Sequence, residues 1–288
     1  MNIFLVTTFI LDESRRKLLE RMIHSVTGAA FNRQDVRLSL YAFVPKCSPS
    51  SLEAFKSTLP PFASAFAIEG KASLSEARNQ LLTRLFSTEM VHNDDIIAYP
   101  DDDCWYPDGF LGFAAKAFLD DEKLDFWFCR YASAPQPACE APAARPARVR
   151  DVVRNASSTT IFLRGRVAKT IGSFDESLGL GARYAGEDLD YALRACEAAR
   201  RSVFCDAALI GHRDKRPEFR AIQYQGKMFV LRRYAGNSLA HFIQCARKFA
   251  IGVLLCARGQ LSVTLFLQSS FGALPPKTRD LALWAADP

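Results

Sequence analysis

The 288-residue sequence has eight cysteines (47, 104, 129, 139, 196, 205, 245 and 256), but no CxxC pair and no Cys/His cluster at zinc-ligand spacing. A zinc site and a disulfide framework are both excluded as organising features. The N-terminal MNIFLVTTF lacks a basic n-region and a cleavage signal, so a reduced, cytosolic setting is expected. No internal repeat is visible. The apolar run Phe249–Leu267 is broken by Arg258 and Gln260, and its first part, Phe249–Ala257, is nine residues, whereas a spanning helix needs ~20. A mean hydropathy of −0.03 excludes a multi-span membrane protein. With 49% hydrophobic and 24% charged residues, the chain is neither disordered, collagen-like nor coiled coil. Its length fits one large domain or two small ones.

The net charge of +6 is unevenly spread. From Gly211 to Pro288 there are twelve Lys/Arg against four acids, giving +8, so residues 1–210 carry −2. A basic C-terminal third suggests a surface for phosphates, nucleic acid or anionic lipid. The absence of an aromatic-rich binding strand or a finger motif argues against nucleic acid.

Hydrophobic periodicity predicts strands over Ile3–Thr8, Val36–Val44, Phe62–Ile68, Asp95–Tyr99, Leu124–Tyr131, Ser157–Leu163 and Val203–Ile210. Helices are predicted from about Asp12 to Val26, capped by Asp12 or Ser14, from Ser73 to about Phe86, and from a start at Pro107. Further helical segments are a turn at Arg166–Ile171, Glu187–Arg200, Glu218–Tyr234 and Leu239–Ala257, followed by an apolar run to Phe271. Ala132–Arg150, with four prolines, reads as a loop or flap. Alternating strands and helices imply a mainly parallel, doubly wound α/β sheet whose ligands sit beyond the strands' carboxyl ends.

Four segments could carry chemistry. In YPDDDCWYP, Asp101, Asp102 and Asp103 repel one another, and a divalent cation would neutralise them, although Asp-rich stretches also build turns and caps. In GEDLDYALRA, Glu187 and Asp188 open a helix, where the dipole favours carboxylates, behind a loop with glycines at 172, 179, 181 and 186. Ser73-Leu74-Ser75-Glu76 forms a capping box, and Arg78 and Asn79 lie one turn into that helix, near N–H groups suited to an anion. His212 ends an apolar strand beside three cations, Arg213, Lys215 and Arg216.

The order and spacing of these segments, together with the strand ending in Thr7-Thr8 and SSTTIFLRGRVAKTIGSFDESLGLG, resemble a family 2 glycosyltransferase of the GT-A fold over about residues 1–217. The resemblance implies an inverting, hexosyltransferase-type enzyme, of the kind that builds bacterial surface polysaccharide, using Mg²⁺ or Mn²⁺. It implies Asp101, Asp103 and His212 as metal ligands, with Asp101 nearer the ribose and Asp102 also at the donor site. Thr7, Thr8 and Arg78 would line the nucleotide and its phosphates, Asp188 would be the general base, and Glu187 would orient the acceptor. The donor would be a nucleotide sugar, UDP-linked first and GDP- or dTDP-linked as alternatives, because YAFVPKCSPSS lacks the acid that reads uracil in many relatives. The acceptor would be a saccharide or a polyprenyl-linked saccharide.

Trp105 could stack on a sugar face or belong to the core. Residues 218–288 are expected to form a basic helical extension to the 1–217 catalytic domain, with Arg232, Arg233, Arg247 and Lys248 meeting headgroups on the inner face of the plasma membrane. Packing on the protein or an oligomer contact is the other use of these helices. A catalytically silent nucleotide-sugar-binding or scaffold subunit is the alternative function.

Overall fold

A computed structural model describes residues 1–9, 13–29, 37–45, 48–68, 72–88, 91–182, 184–213 and 219–274. Its strands are β1 (Asn2–Thr8), β2 (Arg37–Pro45), β3 (Ala63–Ile68), β4 (Ile96–Ala98), β5 (Leu124–Ala132), β6 (Arg145–Pro146), β7 (Ile161–Arg164) and β8 (Arg201–Gly211). Its helices are α1 (Glu13–Ala29), α2 (Pro49–Lys56), α3 (Leu74–Thr88), α4 (Phe110–Asp120), α5 (Val149–Asn155), α6 (Gly165–Ile171), α7 (Glu187–Ala198), α8 (Arg220–Tyr234), α9 (Leu239–Ala257) and α10 (Val263–Phe271). The predicted strands and long helices are present, whereas α2, β6 and α5 are too short for periodicity to announce them. Asp12, Lys215 and Arg216 lie outside the described residues.

The strands form one sheet in the order β3-β2-β1-β4-β7-β5-β8-β6. β1 pairs in parallel with β2 and β4, and β5 with β8, while β7 runs antiparallel between β4 and β5. The sheet is therefore mixed and mainly parallel. Two reversals restore direction, so β1, β4 and β8 end on the same side, and the antiparallel β7 begins there. That one edge collects Thr7, Asp101, His212 and the residues leading into β7.

Both faces of the sheet are covered, and side chains sort by strand alternation. Phe4, Val6, Ile97, Tyr99, Phe126 and Phe128 pack on the α3, α6, α7 and α8 side. Ile3, Leu5, Ile96, Ala98, Trp127 and Cys129 pack on the α1 and α4 side. The capping box at α3 forms: Ser73 N donates to Glu76 Oε2 at 2.6 Å, and Glu76 N to Ser73 Oγ at 3.3 Å.

The proline-rich stretch after β5 differs from the expected flap because it is fastened to the sheet edge. Gln136 N donates to Ala208 O and Ala147 N to Ser202 O, β6 pairs antiparallel with β8, and Arg145 forks onto Asp151 at 2.7 and 2.8 Å. Its proline-containing β6 sits at the edge of the sheet, where a missing ladder donor is tolerated.

α8 places Phe229, Val230, Leu231 and Tyr234 in the same core as the sheet. A smaller cluster of Tyr224, Met228, Leu261 and Phe266 joins α8 to the segment around α10. α8 meets the α7 loop backbone to backbone: a Cβ on Gly226 would lie 1.7 Å from Ala185 O. Gly226→Ala should therefore lower Tm by ~3–10 °C through overpacking. Gly236→Ala, which would meet nothing within 4 Å, should leave Tm unchanged in the same melting experiment.

Candidate active site

The acidic triplet follows β4 directly and is fastened to the end of β8 by a backbone bridge. Trp105 N donates to Gly211 O at 2.9 Å and Gly211 N to Trp105 O at 2.8 Å. A Cβ on Gly211 would lie 2.0 Å from the indole, so only glycine permits this approach. The Arg21 guanidinium lies over the Trp105 ring at 4.0 Å. Both ring contacts are therefore within the protein.

The bridge brings together residues from distant parts of the chain. One ligand atom each from Asp101, Asp103 and His212 lie within 4.8 Å of one another. His212 Nε2 is 3.2 Å from Asp103 Oδ1 and 3.6 Å from Asp101 Oδ2. Arg213 Nε lies 2.9 Å from Asp103 Oδ2, but off the hydrogen-bond direction, so that buried oxygen accepts no hydrogen bond. An oxygen-rich pair plus one imidazole, with a buried carboxylate oxygen left over, fits Mg²⁺ or Mn²⁺.

Burial opposes the charge on Asp101, but His212 and Arg78 overcome it and hold the carboxyl at about 2. Burial likewise opposes the charge on His212, and Asp101 and Asp103 reverse that effect, lifting it to about 10. Asp102 is turned to a different use: its carboxylate is gripped by Arg15 of α1 through two hydrogen bonds, one of 2.8 Å. It is buried, and burial raises its pKa despite Arg15.

Arg78 links the triplet to α7. Only 2% exposed, it donates to Asp188 Oδ1 at 2.9 Å and Asp101 Oδ1 at 3.2 Å, and lies 3.9 Å from Glu187. Burial acts against its charge and the three carboxylates more than compensate. The resemblance implies Arg78 near the nucleotide or its phosphates; in the structure its guanidinium donates to Asp188 and Asp101. It rests over the Phe174 ring at 5.2 Å, which stacks on Tyr191 at 3.9 Å. Tyr191 in turn shares a 2.6 Å hydrogen bond with Tyr99.

Asn79 clamps the loop before α7 through Phe174 N (2.7 Å) and Phe174 O (3.0 Å). Leu74 N donates to Leu180 O at 2.8 Å, so the start of α3 is occupied by its own cap and by that loop rather than open to an anion.

Two hydroxyls missed in the sequence complete the centre. Ser158 Oγ lies 3.3 Å from both Asp101 Oδ1 and Asp188 Oδ2, and Thr159 Oγ1 donates to Asp101 Oδ2 at 2.9 Å. They occupy a 3₁₀ turn before β7, which reads as strand in the sequence because Ser-Ser-Thr-Thr precedes an apolar run. Only β7's antiparallel direction brings them to the site edge.

Glu187 and Asp188 open α7 on a cavity of about 450 Å³. Asp190, in the same motif, serves the fold instead: it pairs with Arg194 at 2.9 Å and accepts from Tyr234 Oη at 3.1 Å. Glu187 is raised from 4.5 to about 7, first by burial and then by the charge of Asp188. Thr7 is buried at the end of β1 with an unpartnered Oγ1, and Thr8 is half-buried beside it. Lys46 and Cys47, in the segment expected to meet the nucleotide base, lie outside the described residues.

No protein-family model matches the chain, and no curated protein sequence matches it. Solved structures do. Staphylococcus aureus TarS residues 1–349 in complex with UDP-GlcNAc is 16% identical, with 96% of this chain and 82% of that one covered and a TM-score of 0.61. The mannosyltransferase PcManGT from Pyrobaculum calidifontis, with GDP-Man and Mn²⁺, is 14% identical, with 91% and 76% covered and a TM-score of 0.54. GalNAc-T7 with UDP, GalNAc and Mn²⁺ is 12% identical, with 96% and 59% covered and a TM-score of 0.53. At these identities the likeness establishes the fold, which is that of the GT-A glycosyltransferases.

Because Glu187 takes a proton more readily folded (about 7) than at its ordinary 4.5, its contribution to stability is full below pH 4.5 and is lost as pH rises through about 7. Glu187→Gln should flatten the decline of Tm between about pH 5 and about pH 8, with ~2–4 °C recovered per kcal/mol. Parallel melts of both proteins across that range check this.

Proposed function

We propose that the protein is a metal-dependent, inverting glycosyltransferase of the family 2 type, moving a hexose from a nucleotide sugar to a hydroxyl of a saccharide or lipid-linked saccharide. The observation that carries this reading is the joining of two chemically different groups by Arg78: a metal-competent Asp101, Asp103 and His212 set, and the Glu187 and Asp188 pair on a cavity. Sugar transfer needs that division, with charge neutralisation at the departing diphosphate and a base at the incoming hydroxyl.

Asp101, Asp103 and His212 would hold Mg²⁺ or Mn²⁺, which when bound neutralises the diphosphate of the donor. Arg213, exposed beside Asp103, is placed to share the phosphates. Thr7 offers a buried hydroxyl to the nucleotide. Asp188 accepts the acceptor's hydroxyl proton. The acceptor oxygen forms the new bond to the anomeric carbon as the bond to the diphosphate oxygen breaks, and that oxygen leaves with the electron pair. Attack opposite the leaving group inverts the anomeric centre.

Glu187, tied to Gly186 N at 3.0 Å, shapes the cavity wall and positions the acceptor. UDP-linked donors are favoured, with GDP- and dTDP-linked donors as alternatives; the UDP-GlcNAc bound to TarS and the GDP-Man and Mn²⁺ bound to PcManGT support a nucleotide-sugar donor and Mn²⁺.

We place the enzyme on the inner face of the plasma membrane, in polysaccharide synthesis. Among the described residues α9 is the one helix long and apolar enough to cross a membrane by length and composition, which the nine-residue stretch did not suggest. Its exposed Leu239, Phe242, Ile243 and Leu254, with Val263, Leu267 and Phe271 of α10, suit lying along a lipid surface.

Purified protein with Mn²⁺ should turn over a UDP- or GDP-sugar, and EDTA should abolish turnover reversibly. Asp188→Asn should lower transfer ~10²–10⁴-fold with donor affinity little changed. Full activity in that variant refutes the base assignment, and nucleotide-sugar binding without transfer or hydrolysis identifies a silent binding subunit.

A further inference from the structure

Beyond these groups, the largest unexplained feature is a row of cations leaving the α7 cavity across α5 towards α9. Three cavities of about 450, 350 and 170 Å³ adjoin there, and Arg154 lines all of them. Arg148 and Arg150 line the second, and Lys227, Arg247 and Lys248 the third. The carboxylates on the second cavity, Asp151 and Asp206, are already held by Arg145 and Arg130 at 2.7 and 3.1 Å. The third has no carboxylate among its described lining residues.

Arg148, Arg150 and Arg154 are exposed, and no described carboxylate lies within ion-pair distance of them. The crowding has a cost: Arg247 is pulled below its ordinary pKa by burial and by the charges of Arg154 and Arg150. α5, which carries two of these arginines, is held in place by the Arg145–Asp151 fork and by Val152 in the main core. Like charges held together on a fixed frame, beside a cavity that opens on Asp188, call for a multiply charged anion. Arginine forks suit phosphate oxygens in particular.

We propose that this groove binds the phosphate of the acceptor, so that the enzyme selects acceptors in which the reacting sugar is followed by a phosphate or diphosphate. The inference rests on the first cavity being the acceptor site. The phosphate has two chemical sources, a lipid-linked diphosphate or the phosphodiester of a polymer. The third cavity also includes Ile251 of α9, next to the exposed apolar residues that a lipid chain would use.

The test is calorimetric titration of inorganic pyrophosphate into the full chain in EDTA, which removes metal-mediated binding at Asp103. Arg150→Ala/Arg154→Ala/Arg247→Ala should weaken binding tenfold or more, while Asp103→Asn leaves it unchanged. Arg16→Ala/Lys56→Ala/Lys116→Ala, an equal loss of positive charge elsewhere, should also leave it unchanged. No pyrophosphate binding by the wild type, unchanged binding by the groove variant, or equal weakening by the two triple variants overturns the proposal.

A second arm identifies the source. Geranyl diphosphate binding tenfold tighter than pyrophosphate, with the gain lost in Ile251→Asp, assigns a lipid-linked acceptor, and equal binding assigns a phosphodiester chain. Donor hydrolysis with Mn²⁺, measured on the same groove variant, should match the wild type. Loss of pyrophosphate binding with hydrolysis retained separates this groove from the transfer chemistry, and absence of hydrolysis in the wild type counts against the glycosyltransferase reading alone.

Discussion

A buried guanidinium is the constraint around which the site is arranged. Arg78 cannot stay charged in a dry interior without partners. Its partners come from opposite directions, Asp101 from the end of β4 and Asp188 from the start of α7. Without the cation those carboxylates would face one another as like charges. The aromatic shelf of Phe174, Tyr191 and Tyr99, the Asn79 clamp and the Ser158 hydroxyl all serve to keep three elements at the spacing this ion needs.

What the sequence revealed was local or periodic. The buried strands, the Ser73–Glu76 cap and the α7 start are each determined by residues within a few positions of one another, and the acidic triplet is conspicuous because its charges are adjacent. What it concealed was long-range. Arg78 meets Asp188 across 110 positions and Arg15 meets Asp102 across 87, and nothing in either local pattern distinguishes a solvated arginine from a buried one. Asp102 is adjacent to Asp101 and Asp103 in the sequence, yet α1 claims it through Arg15. Ser158 and Thr159 were hidden by direction: read as part of a parallel strand, they would lie at the wrong edge of the sheet. The proline-rich stretch looked loose because prolines mark loops, yet the same residues suit an edge strand.

The basic C-terminal third divides along a physical line that composition alone does not draw. α8 is consumed by the main core and sets the backbone of the α7 loop through Gly226. α9 and α10 leave much of their apolar surface outward. The side chains of α9 face two ways: Arg247 and Lys248 line the groove beside the site, whereas Leu239, Phe242 and Leu254 are exposed. One helix can thus serve a polar ligand on one side and an apolar one on the other, as amphipathic geometry permits.

The Trp105–Gly211 bridge also fixes when the site can exist. Asp101 is made more than a hundred residues before His212, and the two meet only once β8 has closed beside β5. The histidine that completes the ligand set therefore joins the two aspartates only as the sheet is finished.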